Sequence, residues 1–258
     1  MKKAGNRLMK VIVNNLATEY KKTGRGPVIL MLHGWCDNLH TFDKIAEDLK
    51  SEYTILSLDM PGFGQTEMPP KTWEVSDYVD FISNFLNKLE INPYCILGHS
   101  FGGRVTIKGV STRVFKPKKI ILIGSAGISK RVTLRNIAVL ILTKIFGIIT
   151  LIPPLLFYRH KIRKKAYKII GSDYLESNAL KDTYIKIISE DLKSYAKSIN
   201  VPTQLIWGSN DTETPLEDGK IYNSLINNSK LRVIKNSGHL VHQQEPHEVS
   251  QTIKEFLK

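Results

Sequence analysis

Cysteine is scarce: 258 residues contain only Cys36 and Cys95, which leaves no material for a disulfide framework and suits a reducing compartment. The basic start, Met1-Lys2-Lys3 through Arg7 and Lys10, has no apolar stretch behind it, which argues against a secretory leader. A clean apolar run of about 20 residues, the length that spans a bilayer, is missing as well. Ile137 to Phe157 comes nearest, and Lys144, Gly147 and Pro153-Pro154 break it. There is no internal repeat and no low-complexity tract. Acidic residues are in deficit, 24 against 37 Lys and Arg, for a net charge of +13. No nucleic-acid motif or aromatic pattern accompanies that charge, so it reads as a lysine-rich solvated surface with no nucleic-acid partner. These absences together suggest a cytoplasmic protein.

What the chain does have is apolar material, 42% hydrophobic and 9% aromatic residues, enough for one large domain or a domain with an insertion. Residues 9–14 and 17–22 read as short strands around Asn14-Asn15, a hairpin. Val28–Leu32, Tyr53–Leu58, Tyr94–Leu97, Lys119–Gly124, Val201–Gly208 and Lys230–Lys235 read as strands, several of them continuously apolar, as strands buried on both faces are. Helical spacing of apolar residues marks 41–50, 73–89, 104–110, 216–226 and 246–257 between them. Alternation of this kind predicts an α/β fold, a mostly parallel sheet covered on both faces, with an antiparallel hairpin at one edge. From about Ser125 to Asn200 the alternation stops. That interval reads as helical and is too long for a crossover, so it is taken as an inserted cap (125–200) between two parts of a core, 1–124 and 201–258.

The chemistry-bearing residues fall at strand ends, where open α/β sheets bind ligands. Gly98-His99-Ser100-Phe101-Gly102-Gly103 lies between an apolar strand and a helix, the setting of a nucleophile elbow that carries Ser100 on a strained turn. A free serine hydroxyl is a poor nucleophile and needs a base. His239, in Gly238-His239 after the last strand, is the candidate, and Asp211, after Trp207-Gly208, is the acid that would orient it. Glu217 and Asp218 are poorer choices because they fall inside the next helix. The order Ser, Asp, His is that of the α/β class of such enzymes. Oxyanion donors are expected from the backbone N–H of Phe101 and of Trp35, in the His33-Gly34-Trp35 loop. His33 is read as an anchor for that loop, and Asp59 as a carboxylate that ties its own turn. Asp37 is left unassigned. Cys36 and Cys95 are read as packed thiols, His40, His160, His242 and His247 as surface or loop residues, and His99 as pointing away from the chemistry.

With these residues in place, the chain resembles the α/β-hydrolase fold family, over residues 28–125 and 201–258. The carriers are the His-Gly-x oxyanion loop, Asp59-Met60-Pro61-Gly62-Phe63-Gly64 and the Gly-His-Ser-x-Gly-Gly elbow. The resemblance implies an eight-stranded core, a helical cap, no metal and no cofactor. Ser100 stands where the haloalkane dehalogenase and epoxide hydrolase branches carry a carboxylate, which argues against both. Gln65-Thr66 departs from the family's usual residues after the turn. The reading expected is a serine hydrolase of a carboxylic ester, through an acyl-enzyme on Ser100, His239 and Asp211. Rivals on the same triad are C–C hydrolysis of a vinylogous diketone, acyl transfer and cofactor-free haloperoxidation. A ligand receptor or scaffold that has lost turnover is the non-enzymatic rival. The cap sequence sets the apolar 137–157 stretch beside Arg159, His160, Lys161, Arg163, Lys164, Lys165 and Lys168. That pattern fits cap helices over a greasy site, or a lid resting peripherally on an anionic membrane.

Overall fold

The computed structural model describes residues 8–129 and 180–258. Eight strands, β1 (Leu8–Val13), β2 (Leu16–Gly24), β3 (Val28–Leu32), β4 (Thr54–Leu58), β5 (Cys95–His99), β6 (Lys119–Ile123), β7 (Thr203–Gly208) and β8 (Ser229–Ile234), make one sheet. Its spatial order is β1-β2-β4-β3-β5-β6-β7-β8. β2 pairs antiparallel with both β1 and β4, and every pairing from β4 through β3 to β8 is parallel. Asn14 and Asn15, with φ of 49° and 63°, close the β1–β2 hairpin. Two successive left-handed residues match the twist of the flanking strands, and asparagine tolerates that conformation.

The parallel strands read as unbroken apolar runs because the pleat sends alternate side chains into two different cores. On β3, Leu30 and Leu32 join Leu56, Leu58, Ile96, Leu122 and Leu205 on one face. Ile29 and Met31 join Ile55, Leu97, Ile121, Ile123 and Ile206 on the other. The first face is covered by α2 (Val75–Lys88), α3 (Phe101–Ser111) and α6 (Leu216–Leu225), with residues from α4 (Lys181–Ser189) and α5 (Lys193–Lys197). The second is covered by α1 (Asp43–Leu49) and α8 (Pro246–Leu257), with Val241 from the short α7 (Val241–Gln244). α2 begins where the Asp77 carboxylate accepts the Glu74 N–H at 2.7 Å, satisfying a donor the helix cannot.

The α/β fold expected from the sequence is therefore the one found, with the parallel sheet, the edge hairpin and helices on each face. Residues 180–200, the described end of the interval between β6 and β7, carry the two short helices α4 and α5. The 137–157 stretch and the basic cluster after it lie outside the described residues. Among the described residues, no helix is long and apolar enough to cross a membrane.

β3 leads to β4 on one side, and the chain then returns to place β5 on the other. The strand order thus reverses direction at β3, and a crevice opens at such a switch point. The loops after β3, β5, β7 and β8 all face that edge.

Candidate active site

Ser100 joins β5 to α3 with φ 49° and ψ −109°, a conformation rarely populated by residues with a side chain and typical of strained functional turns. The turn is enforced by packing. A Cβ on Gly98 would lie inside contact distance of the Gly102 carbonyl, and one on Gly102 would overlap the Leu32 carbonyl oxygen. Only hydrogen fits at both positions, so α3 packs directly on the ends of β3 and β5. The Ser100 N–H donates to the Ile123 oxygen at 3.0 Å, and the Gly102 N–H donates to the His33 oxygen at 3.0 Å. The second bond fastens the loop after β3 to the start of α3.

That loop is held from beneath by His33, which is buried. Its Nε2 accepts the Met60 N–H at 2.9 Å, which leaves Nδ1–H to donate to the Gly34 oxygen at 2.7 Å. Burial pulls the His33 pKa below its ordinary value, in keeping with a neutral structural ring. Asp59 accepts the N–H groups of Leu39 (2.7 Å) and Gln65 (2.8 Å), so it ties its own turn and the neighbouring loop. Trp35 packs its ring among Phe63, Phe101 and Tyr184, with centroids 4.8, 5.3 and 5.1 Å away.

On the far side of the crevice, Asp211 is buried with both oxygens engaged. Oδ1 accepts the N–H of Glu213 and of Thr214, both at 2.9 Å. Oδ2 lies 2.9 Å from His239 Nδ1 and 2.9 Å from the Thr214 hydroxyl. Burial alone would push the carboxyl up, but the bonds from His239 and Thr214 outweigh it and hold the Asp211 pKa below the usual carboxylate value. An ionised Asp211 accepting at Nδ1 leaves Nε2 of a neutral His239 as the free lone pair. Gly124, at the end of β6, has φ +46°, and a Cβ there would meet Asp211 Oδ2 at 3.2 Å and His239 Nδ1 at 3.3 Å. The pair is therefore packed against bare backbone.

Ser100 and His239 line one cavity of about 450 Å³ together with Trp35, Phe101, Arg104 and Tyr184. The structure gives no direct hydrogen bond between Ser100 and His239, and such contacts commonly close only around substrate. Asp211, expected as the acid, is the carboxylate on His239 Nδ1, while Glu217 and Asp218 fall in α6.

Three features were missed in the sequence. Glu213 places Oε2 3.5 Å from His239 Nε2, at the cavity wall. Arg104 is buried, and its Nη1 donates to the carbonyl oxygens of Ile187 (2.7 Å) and Glu190 (2.8 Å), tying α3 to the end of α4. His242, read as a surface or loop residue, is buried beneath the site at 1% exposure. It sits three residues after His239 on α7, and that turn points it inward rather than to solvent. The reading of Cys36 as a packed thiol is also corrected. Its φ of 55° turns the side chain outward and leaves it exposed, whereas Cys95 is buried as expected.

A model of the family described as alpha/beta hydrolase fold matches residues 27–138. The chain is 26% identical over 270 residues to the uncharacterised hydrolase YugF of Bacillus subtilis, covering 95% of both chains. It is 25% identical to a monoacylglycerol lipase of Homo sapiens, over 92% of this chain and 77% of that one. Among solved structures, a bromoperoxidase from Bacillus anthracis superposes with a TM-score of 0.77 at 20% identity, over 97% of this chain and 99% of that one. The sheet order, the strained serine after β5 and these likenesses agree: the chain has the α/β-hydrolase fold.

Proposed function

We propose that the protein is a serine hydrolase that cleaves a carboxylic ester through an acyl-enzyme. The observation that carries this reading is the hydrogen bond of His239 Nδ1 to the fully engaged Asp211, with His239 opening on the same cavity as Ser100. Ser100 Oγ attacks the ester carbonyl while His239 Nε2 takes its proton, and Asp211 stabilises the imidazolium. The oxyanion is held by the N–H groups of Phe101 and Trp35. Collapse of the intermediate expels the alcohol, protonated by His239. Water then attacks the acyl carbon with His239 again as base, releasing the acid and restoring Ser100.

The cavity wall suits an apolar acyl group: Trp35, Phe101 and Ile187 line it, with Tyr184 beside them. α4 lies in the 125–200 interval and supplies part of that wall, which supports the interval's role as a cap. The monoacylglycerol lipase likeness supports the same substrate class.

A p-nitrophenyl ester series of increasing acyl length tests the proposal. Turnover should peak at a medium chain and fall on the order of 10⁶-fold in Ser100→Ala. Unchanged turnover in Ser100→Ala would refute the nucleophile. A wild type that acylates at Ser100 but releases no product from any ester would shift the reading to C–C cleavage or acyl transfer.

A further inference from the structure

Behind the catalytic serine, three groups from three different segments converge. Asp37 follows the Trp35 loop, His99 ends β5, and His242 lies on α7; one donor atom from each lies within 4.8 Å of the others. Both rings are buried, at 2% and 1% exposure, and their centroids are 4.2 Å apart. His99 Nε2 meets the His239 carbonyl oxygen at 3.1 Å, and since a carbonyl only accepts, that nitrogen carries the proton and Nδ1 is a bare lone pair. His242 Nε2 meets the Thr41 hydroxyl at 2.9 Å, which also accepts from Gln243 Nε2 at 2.8 Å. A hydroxyl oxygen has two lone pairs, enough to accept from both. Nδ1 of His99 and Nδ1 of His242 are imidazole nitrogens left with no hydrogen-bond partner among the described residues. Two buried nitrogens without a partner, on rings whose centroids are 4.2 Å apart, call for an explanation.

We propose that Asp37, His99 and His242 form a site for a divalent transition-metal cation, Zn²⁺ by its donor set. Two imidazoles and a carboxylate are ligands that Zn²⁺ takes, with a fourth position left open. Each imidazole also has the outer partner that orients a metal-bound histidine, the His239 carbonyl for one and Thr41 for the other. Burial holds both rings neutral, His242 down to about 3 and His99 well below its ordinary value, and a neutral ring is the form that ligates. An entry path exists: Asp37 and His242 line a separate cavity of about 470 Å³ open to solvent. The resemblance read from the sequence implies no metal, so this site is a departure from it. A bound ion would brace the Trp35 loop, the elbow strand and the turn after His239 against one another. That last consequence rests on the proposed function, whereas binding itself does not.

The test is Zn²⁺ titration of the chelator-stripped full chain by calorimetry, with thermal unfolding in parallel, for wild type, His242→Gln, Asp37→Asn and Ser100→Ala. The expected result is a single Zn²⁺ per chain with a raised Tm. Binding should weaken by at least about tenfold in His242→Gln and in Asp37→Asn. Ser100→Ala should bind as wild type does, which separates this site from the fate of the hydrolase reading. No uptake by folded wild type would overturn the proposal. Equal uptake by wild type and both ligand variants would place the ion elsewhere and would overturn it too.

Discussion

The two arms of the crevice are positioned by opposite means. The serine arm is built by exclusion: Gly98 and Gly102 let backbone approach backbone where no Cβ fits, and Ser100 is left in a strained turn with its own N–H tied to Ile123. The acid–base arm is built by attraction: Asp211 gathers two N–H groups, the Thr214 hydroxyl and His239 around one buried carboxylate. The serine arm fails when an atom is added, and the acid–base arm fails when a partner is removed. The two arms meet at the end of β6, where the Ser100 N–H donates to the Ile123 oxygen and Gly124 lies against Asp211 and His239.

Breaking the acid–base arm should have the larger chemical effect. Asp211→Asn keeps the shape but loses the charge and favours the wrong tautomer of His239, so ester turnover should fall about 10⁴-fold in kcat with KM little changed. Breaking the serine arm should appear first as stability. Gly102→Ala forces a methyl into the Leu32 carbonyl and should cost about 3 kcal/mol in urea unfolding. Turnover should be lost with it, because the turn must open. A milder change refines the contrast: Thr214→Val removes one bond to Asp211 Oδ2 and should cost about 1 kcal/mol and less than about tenfold in kcat.

The smallest expected effect is in pH. The folded-state pKa of Asp211 is depressed, so the unfolded chain binds more protons through that window and stability rises with pH there. The contribution is fully present above the unfolded value of about 3.9 and is lost as pH falls through the folded one. Denaturant midpoints of wild type and Asp211→Asn measured from pH 6 downward should therefore converge below about pH 4. A gap that stays constant would place the effect outside the charge of Asp211.

Much of this contrast is legible in the residues alone. The boundaries of β3 and α8 follow directly from apolar patterning, since a doubly buried strand and a one-sided helix have distinct periods. The strained turn at Ser100 and the contact of Asp211 with His239 are readable because each of these residues follows a strand. What escapes depends on side-chain direction rather than on residue type. His242 gives the same local signal as a surface histidine, and only the short helix after His239 turns it into the protein. Cys36 gives the same signal as a packed thiol, and only a left-handed residue turns it out. Glu213 and Arg104 reach the cavity by side-chain length, which spacing along the chain does not encode.

Whether Ser100 is the nucleophile activated by the His239–Asp211 pair is open to direct chemical labelling. The folded protein is treated with a fluorophosphonate, and adducts are located by peptide mass spectrometry and timed against the variants. A single adduct is expected on the peptide that carries Ser100, absent in Ser100→Ala and strongly slowed in Asp211→Asn. An adduct on another residue, or a labelling rate that Asp211→Asn leaves unchanged, would contradict that role for the pair.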